Sequence, residues 1–199
     1  MQIQLNKIFY FNIEYFFIIC YTVINITMER YGLIILGIDP GYAIVGWGAI
    51  EYKNNHFGVL GYGAVTTEAH TPFTTRLEQI YDGIFHLMDD YTPDAMAIEK
   101  LFFNTNRKTA IDVAQARGVT VLAAQKHSVP IFEYTPLQVK QSVVGYGRAE
   151  KKQVQEMTKI ILNLSRVPKP DDTADALAMA ICHAHVNGSS LASMLNNRG

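Results

Sequence analysis

Leu33-Ile-Ile-Leu-Gly-Ile-Asp39 is a short, unbroken apolar run that closes on an acid. Too short for an ordinary buried helix and without polar alternation, it reads as a central strand covered on both faces. Pro40-Gly41 turns the chain, and Ala43–Tyr52 and Phe57–Val65 read as strands joined by Lys53-Asn-Asn-His56, a hairpin signal. Ala95-Met-Ala-Ile-Glu99 repeats the opening pattern, a buried strand ending in a carboxylate. Thr74–Tyr91 has helical periodicity, with Leu77, Ile80, Ile84, Leu87 and Met88 on one face. Helices are also expected over Thr109–Lys126, Pro136–Val144, Glu150–Leu164 and Asp171–Val186, with a strand at Pro130–Tyr134 and a stiff linker at Pro168-Lys-Pro170. The order βββαβαβααα requires both antiparallel and parallel pairing, so the expected class is α/β: a mixed five-stranded sheet flanked by helices.

The two strand-closing acids carry the first functional signal. If the strands of Asp39 and Glu99 are adjacent and parallel, both side chains emerge at the carboxyl edge, where open α/β sheets place their ligands. Asp172 and Asp175 are spaced i, i+3 in the first turn of the last helix, hence on one face. On their own these two acids are better explained as complements to the helix dipole. Asp39 and Glu99 are different, because a charge closing an apolar strand needs compensation that capping does not supply. Four carboxylates at one place would repel one another unless a cation sat among them, and an all-oxygen set suits Mg²⁺ or Mn²⁺ and not Zn²⁺.

The whole chain of 199 residues has a formal net charge of −1, which hides a strong segregation. Residues 28–99 hold three basic and ten acidic side chains, net −7, whereas residues 100–170 hold twelve basic and four acidic ones, net +8. A polyanion could bind the basic stretch while the acidic one supplies carboxylates; a solvated surface with scattered charge is the plainer explanation. Apolar residues at 49% exclude a disordered segment, and two cysteines exclude a disulfide scaffold.

Residues 1–27 have a composition unlike the rest. They lack Gly, Ala, Pro, Ser, Asp and Arg entirely, and all 14 glycines follow Met28. The longest uncharged run, Tyr15 to Met28, is fourteen residues, short of the ~20 that span a bilayer. Val23-Ile-Asn-Ile-Thr27 offers no small-residue cleavage site. The expectation is that Met28 is the true start, with a domain over 28–187 and a flexible tail over 188–199. No membrane association is expected, and the expected location is cytoplasmic.

Six segments in order, Gly37-Ile-Asp-Pro-Gly41, Ala97-Ile-Glu-Lys100, Gln115-Ala-Arg-Gly118, Gln138-Val-Lys-Gln141, Ala149-Glu-Lys151 and Ala174-Asp-Ala-Leu-Ala178, resemble the RuvC family of Holliday-junction resolvases. The resemblance runs from about Leu33 to His185. It implies a ribonuclease H-like fold, a homodimer, a four-way junction DNA substrate nicked at two symmetric positions, and partnership with a branch-migration complex of RuvA and RuvB. By position, Asp39, Glu99, Asp172 and Asp175 match the family's catalytic and metal-holding acids, with Mg²⁺ (or Mn²⁺), two ions per subunit, as the implied cofactor. Lys140 and Lys151 match its functional lysines, and Phe102 matches an aromatic that helps open the junction. Two ions about 4 Å apart would activate water and hold the leaving oxygen, giving 5′-phosphate and 3′-hydroxyl ends. Arg107, Lys108, Arg148 and Lys152 complete the expected DNA contacts, made to phosphates that position without reading sequence. Lys100 departs from the pattern, since relatives often carry an uncharged side chain there.

Several features stay open on sequence. Phe102 and Phe103 point opposite ways in an extended segment, so one can be core while the other stacks on a base. Ala110, Ala114 and Gly118 form a stripe of small residues that suits either dimer packing or packing on the chain's own sheet. Cys182, His183 and His185 are a poor zinc set, because the histidines at i, i+2 do not face one another. Gly37–Gly41 also approaches the phosphate hairpin of actin-like ATPases and sugar kinases, which need two such domains where 172 residues after residue 27 supply one. A junction-binding module without chemistry would fit the basic stretch, and a ribonuclease H-like nuclease acting on RNA–DNA hybrids would fit the acids.

Overall fold

The apolar run at Leu33 is the central strand of five. In the computed structural model, residues 32–100 and 107–196 are described. Leu33–Gly199 is the second of two units into which the chain divides. Within the second, the elements run β1 (Leu33–Asp39), β2 (Ile44–Lys53), β3 (His56–Thr66), α1 (Phe73–Tyr91), β4 (Ala95–Glu99), α2 (Arg107–Lys126), β5 (Ile131–Tyr134), α3 (Pro136–Val144), α4 (Lys151–Ile161) and α5 (Asp171–Asn196). The sheet order is β3-β2-β1-β4-β5. β1, β2 and β3 pair antiparallel, and the Asn54-Asn55 turn has φ of 51° and 64°, the paired positive values of a two-residue hairpin loop. The chain then crosses over through α1, and β4 and β5 add in parallel on the far side of β1.

The alternation of β1 and β4 sorts the two cores. Leu36, Ile38, Met96 and Ile98 pack with α1 and α2, where Ile80, Ile84, Leu87 and Met88 form the buried face expected from periodicity. Leu33, Ile35 and Ala97 face the other way, onto Leu177, Ala178 and Ile181 of α5 and onto α3 and α4. Asp39 and Glu99 continue this second set, so both acids point toward the α5 side of the sheet.

α5 lies unusually close to the sheet, and glycines make that possible. A Cβ built on Gly37 would fall 2.0 Å from the Ala176 carbonyl oxygen, and one on Gly46 would fall 2.1 Å from the Asp172 carbonyl oxygen. Alanines at 174, 176, 180 and 184 keep the buried face of the helix small. The helix continues to Asn196, past Val186 where the sequence pattern ended it. Most of the stretch 188–199 expected as a flexible tail is therefore helical; Asn187-Gly-Ser-Ser190 is a loop signal that helix propagation overrides. The boundaries of α3 agree with expectation because its signals are local. Thr135 Oγ1 accepts from the Gln138 backbone N–H at 3.2 Å, Gln138 Oε1 accepts from the Thr135 N–H at 2.9 Å, and Gly145 (φ 89°) ends the helix.

Candidate active site

The parallel register of β1 and β4 aligns Ile38 with Ile98, which puts Asp39 and Glu99 side by side at the carboxyl edge. Both line a cleft of about 190 Å³ together with Pro136, Val139 and Lys140 from α3, Lys151 and Val154 from α4, and Asp175, Ala178 and Met179 from α5. On α3, Pro136, Val139 and Lys140 are spaced i, i+3, i+4, so one helical face supplies that wall. Lys151 opens α4, held there by the hydrogen bond from the Glu150 N–H to Gln153 Oε1 at 2.8 Å. A cation at a helix N-terminus has the wrong sign for the dipole. Lys151 finds its compensation in the acids: its Nζ lies 2.6 Å from Asp175 Oδ2.

The electrostatics of the cleft are those of a cluster short of positive charge. Burial pushes Asp39 up to about 8, with the charges of Glu99, Asp175 and Asp172 adding to it and Lys151 working against them. Glu99 and Asp175 are also raised, in each case by burial first; Lys151 opposes both shifts. Burial works against the Lys151 cation, but its bond to Asp175 and the charges of Asp175, Asp171 and Asp39 hold its pKa above the usual lysine value. Among the described residues, no three Asp, Glu, His or Cys side chains close on a single point as metal ligands do. The acids feel one another's charge without converging, as carboxylates do when repulsion is relieved by one lysine.

The remaining expected residues lie both inside and outside the cleft. Asp172 contributes charge to Asp39 but does not line the cleft. Lys140 and Lys151 do line it, while Arg148 and Lys152 are exposed on the approach to α4. Phe102 lies outside the described residues, as does Phe103. Arg107 and Lys108 open α2, and their side chains also lie outside those described. The zinc reading fails as expected: His183 is fully buried with Nδ1 2.8 Å from the Tyr134 hydroxyl, and His185 bonds to Ser142. Ala110 and Ala114 are half-buried and nothing lies within 4 Å of a Cβ on Gly118, while the buried face of α2 is Ala116, Thr120, Ala123 and Ala124. The stripe is thus not the face that α2 turns to its own core.

Two supporting arginines were not singled out from sequence. The Arg76 guanidinium stacks 3.6 Å over the Tyr42 ring and donates from Nε to Thr67 Oγ1 at 2.8 Å, tying α1 to the turn that follows Asp39. Arg117 of α2 pairs with Glu133 and reaches the Glu99 carbonyl, securing the end of β4. The available signal was that Arg76 is one of three cations in the acidic first stretch.

A mixed sheet in this order, with acids at the carboxyl ends of its two central parallel strands and a third on a helix packed across them, defines a ribonuclease H-like nuclease. The family model for crossover junction endodeoxyribonuclease RuvC matches residues 35–183. A relative of that name from Clostridioides difficile (strain 630) is 63% identical over 155 residues, 78% of this chain and 92% of its own length. Another, from Alkaliphilus metalliredigens (strain QYMF), is 61% identical over 153 residues, 77% of this chain and 93% of its own. The solved Thermus thermophilus RuvC structure in complex with Holliday junction substrate superposes with a TM-score of 0.76 at 33% identity, covering 79% of this chain and 96% of that one. The yeast mitochondrial Holliday junction resolvase Ydc2, at 14% identity and a TM-score of 0.58, shares the fold. This chain belongs to the RuvC family and is a crossover junction endodeoxyribonuclease, a hydrolase of DNA phosphodiester bonds. Among the described residues, no helix is long and apolar enough to cross a membrane.

Proposed function

We propose that the protein resolves four-way DNA junctions by two symmetric nicks, each made at the cleft lined by Asp39, Glu99 and Asp175, with Asp172 beside it. The observation that carries this reading is Asp39, a strand-closing carboxyl whose pKa is pushed up to about 8 by burial and by three neighbouring acids. Such a cluster is costly to the fold and fits hard divalent cations by its oxygen-only donors. Asp39, Glu99, Asp172 and Asp175 would hold them. Bound Mg²⁺ or Mn²⁺ would supply activation of water and stabilisation of the charge that develops on the leaving 3′ oxygen.

The chain's own residues do the rest. Asp39 would have to give up its proton to hold a cation, so metal binding would be coupled to proton release. Lys151, already at the cleft, offers a point charge to a phosphate oxygen in exchange for Asp175. Lys140, Arg148 and Lys152 hold the DNA arms through phosphates, with Phe102, Arg107 and Lys108 as further contacts. The products carry 5′-phosphate and 3′-hydroxyl ends. The deciding experiment compares cleavage of a four-way junction, a linear duplex and an RNA–DNA hybrid in Mg²⁺; a protein that prefers the hybrid overturns the junction reading.

Replacing Lys140, Arg148 and Lys152 together should lower the slope of log K against log salt by about 2–3, roughly one for each phosphate no longer neutralised. Junction titrations between low and moderate salt measure it, and an unchanged slope moves the DNA elsewhere.

Two coordinated nicks need two clefts, and a C₂ dimer is the commonest way to present them. We place part of the dimer face on α2, where Gly118 is open and Ile111 and Leu122 are 64% and 48% exposed along the same side of the helix. Ala114→Arg should give a monomer by sedimentation that nicks one strand or none. A dimer that tolerates the change puts the interface elsewhere, and a wild type monomeric both alone and on junction DNA overturns the dimer.

A further inference from the structure

The segment 145–150 that joins α3 to α4 folds back over α3. Gly145 ends that helix with φ of 89°, and two residues later the chain already lies against the helix it has just left. A Cβ built on Gly147 would fall 2.2 Å from Leu137 Cδ1 and 3.6 Å from Gln141 Cγ, so the backbone of Gly147 rests on the Leu137 side chain. This return brings the residue that follows Tyr146 against Leu137, and both Tyr146 and Leu137 are exposed to water, at 47% and 54%. Leu137 is three residues before Lys140 and adjacent to Pro136, both of which line the acid cleft. Arg148 and Lys152, which follow Tyr146 in the chain, are also exposed. Tyr146 and Leu137 belong to neither core, and Tyr146 stands in a segment that carries an exposed cation between two helices that line the cleft. They have the make-up of a nucleic-acid platform, in which cations track phosphates and a ring receives a base.

We propose that Tyr146 is a stacking platform for a base displaced from its pair next to the phosphate at the cleft. The proposal rests on the reading that the cleft cuts junction DNA, and it adds a DNA-positioning residue that charge alone would not reveal. A flat ring accepts any base face, so the platform fixes where the strand lies without selecting its sequence. It acts beside the lysines: they hold the phosphate, and the ring holds the neighbouring base at the angle that presents that phosphate to the acids.

The test uses the full chain and a four-way junction carrying 2-aminopurine at single positions flanking the nick. This base fluoresces when unstacked and is quenched by an aromatic neighbour. Wild type, bound without divalent cation, should quench it at one position. Tyr146→Ala and Tyr146→Leu should lose that quenching and slow single-turnover cleavage about 5- to 100-fold, the range expected when one base no longer stacks on a ring. Tyr146→Phe and Tyr146→Trp should restore both. The salt slope of binding should not change in any of the four, because a stacked ring releases no counterions. Tyr146→Ala that cuts and quenches like wild type overturns the platform. So does a loss that Phe does not restore, which would make the hydroxyl the active group. A wild type that cuts linear duplex as fast as junction fails differently, taking the junction reading down first and the platform with it.

Discussion

Asp39→Asn should abolish cleavage and at the same time make the metal-free protein more stable. Loss of activity should exceed a thousandfold if, as proposed, Asp39 holds a catalytic ion, because no other group stands in its place. Stability moves the other way for a reason the cleft makes plain. The folded-state pKa of Asp39 is about 8 against an ordinary 3.8, raised by burial and then by Glu99, Asp175 and Asp172. An acid raised on folding binds more protons in the native state than in the unfolded one between those two values, so its contribution falls as pH rises through that window. Each unit is worth 1.36 kcal/mol, and with some water reaching the side chain the ionised carboxyl costs the metal-free fold on the order of 3 kcal/mol above pH 8. Asparagine removes the cost. Thermal unfolding with chelator should therefore show little change at pH 4–5 and a higher Tm for the variant at pH 8. Adding Mg²⁺ should raise Tm in the wild type and much less in Asp39→Asn. Equal Tm values at pH 8 with chelator would mean that Asp39 is better solvated than its neighbours imply.

How far such a site can be read from sequence depends on whether its signals are local. β1 and β4 were legible as apolar runs closing on acids, and their ends at Asp39 and Glu99 agree with the structure. α3 was legible residue for residue, because Thr135, Pro136, Gln138 and Gly145 are start and stop signals that act within a turn. What sequence left conditional was adjacency. That Asp39 and Glu99 share an edge follows only from the parallel pairing of β1 with β4 across a crossover. Lys151 looked like a solvated helix lysine on local grounds, and its 2.6 Å bond to Asp175 joins α4 to α5. The end of α5 misled in the opposite direction, since a local loop signal after Val186 lost to a helix already nucleated. Most hidden of all was the part played by glycine in β2, where Gly46 and Gly48 are the positions on which a helix rests.

That close approach sets up a second large effect, in a residue with no chemistry of its own. Gly46→Ala should cost cleavage at least a hundredfold while leaving junction binding nearly intact. The added Cβ would sit 2.1 Å from the carbonyl oxygen of Asp172 and 2.3 Å from its carbonyl carbon. The obstacle is backbone, so a rotamer change cannot relieve it; either β2 or the first turn of α5 must move by about 1 Å, a displacement that costs catalysis on the order of 10²-fold. Retreat of the whole of α5 would also undo its packing farther along, where the Ala176 oxygen rests on Gly37 in the same way. Movement will therefore concentrate in the first turn, which carries Asp172 and Asp175, and in the Thr173 hydroxyl that donates to the Gly63 carbonyl at 3.0 Å. The basic residues of α3 and α4 stand on other elements, so the DNA contacts proposed for them should persist. Single-turnover cleavage and junction affinity, measured on the same preparation, separate the two effects. Gly46→Ala with normal cleavage would show that the first turn of α5 has slack that a methyl group can take up, and that Asp172 is not held by the sheet beneath it.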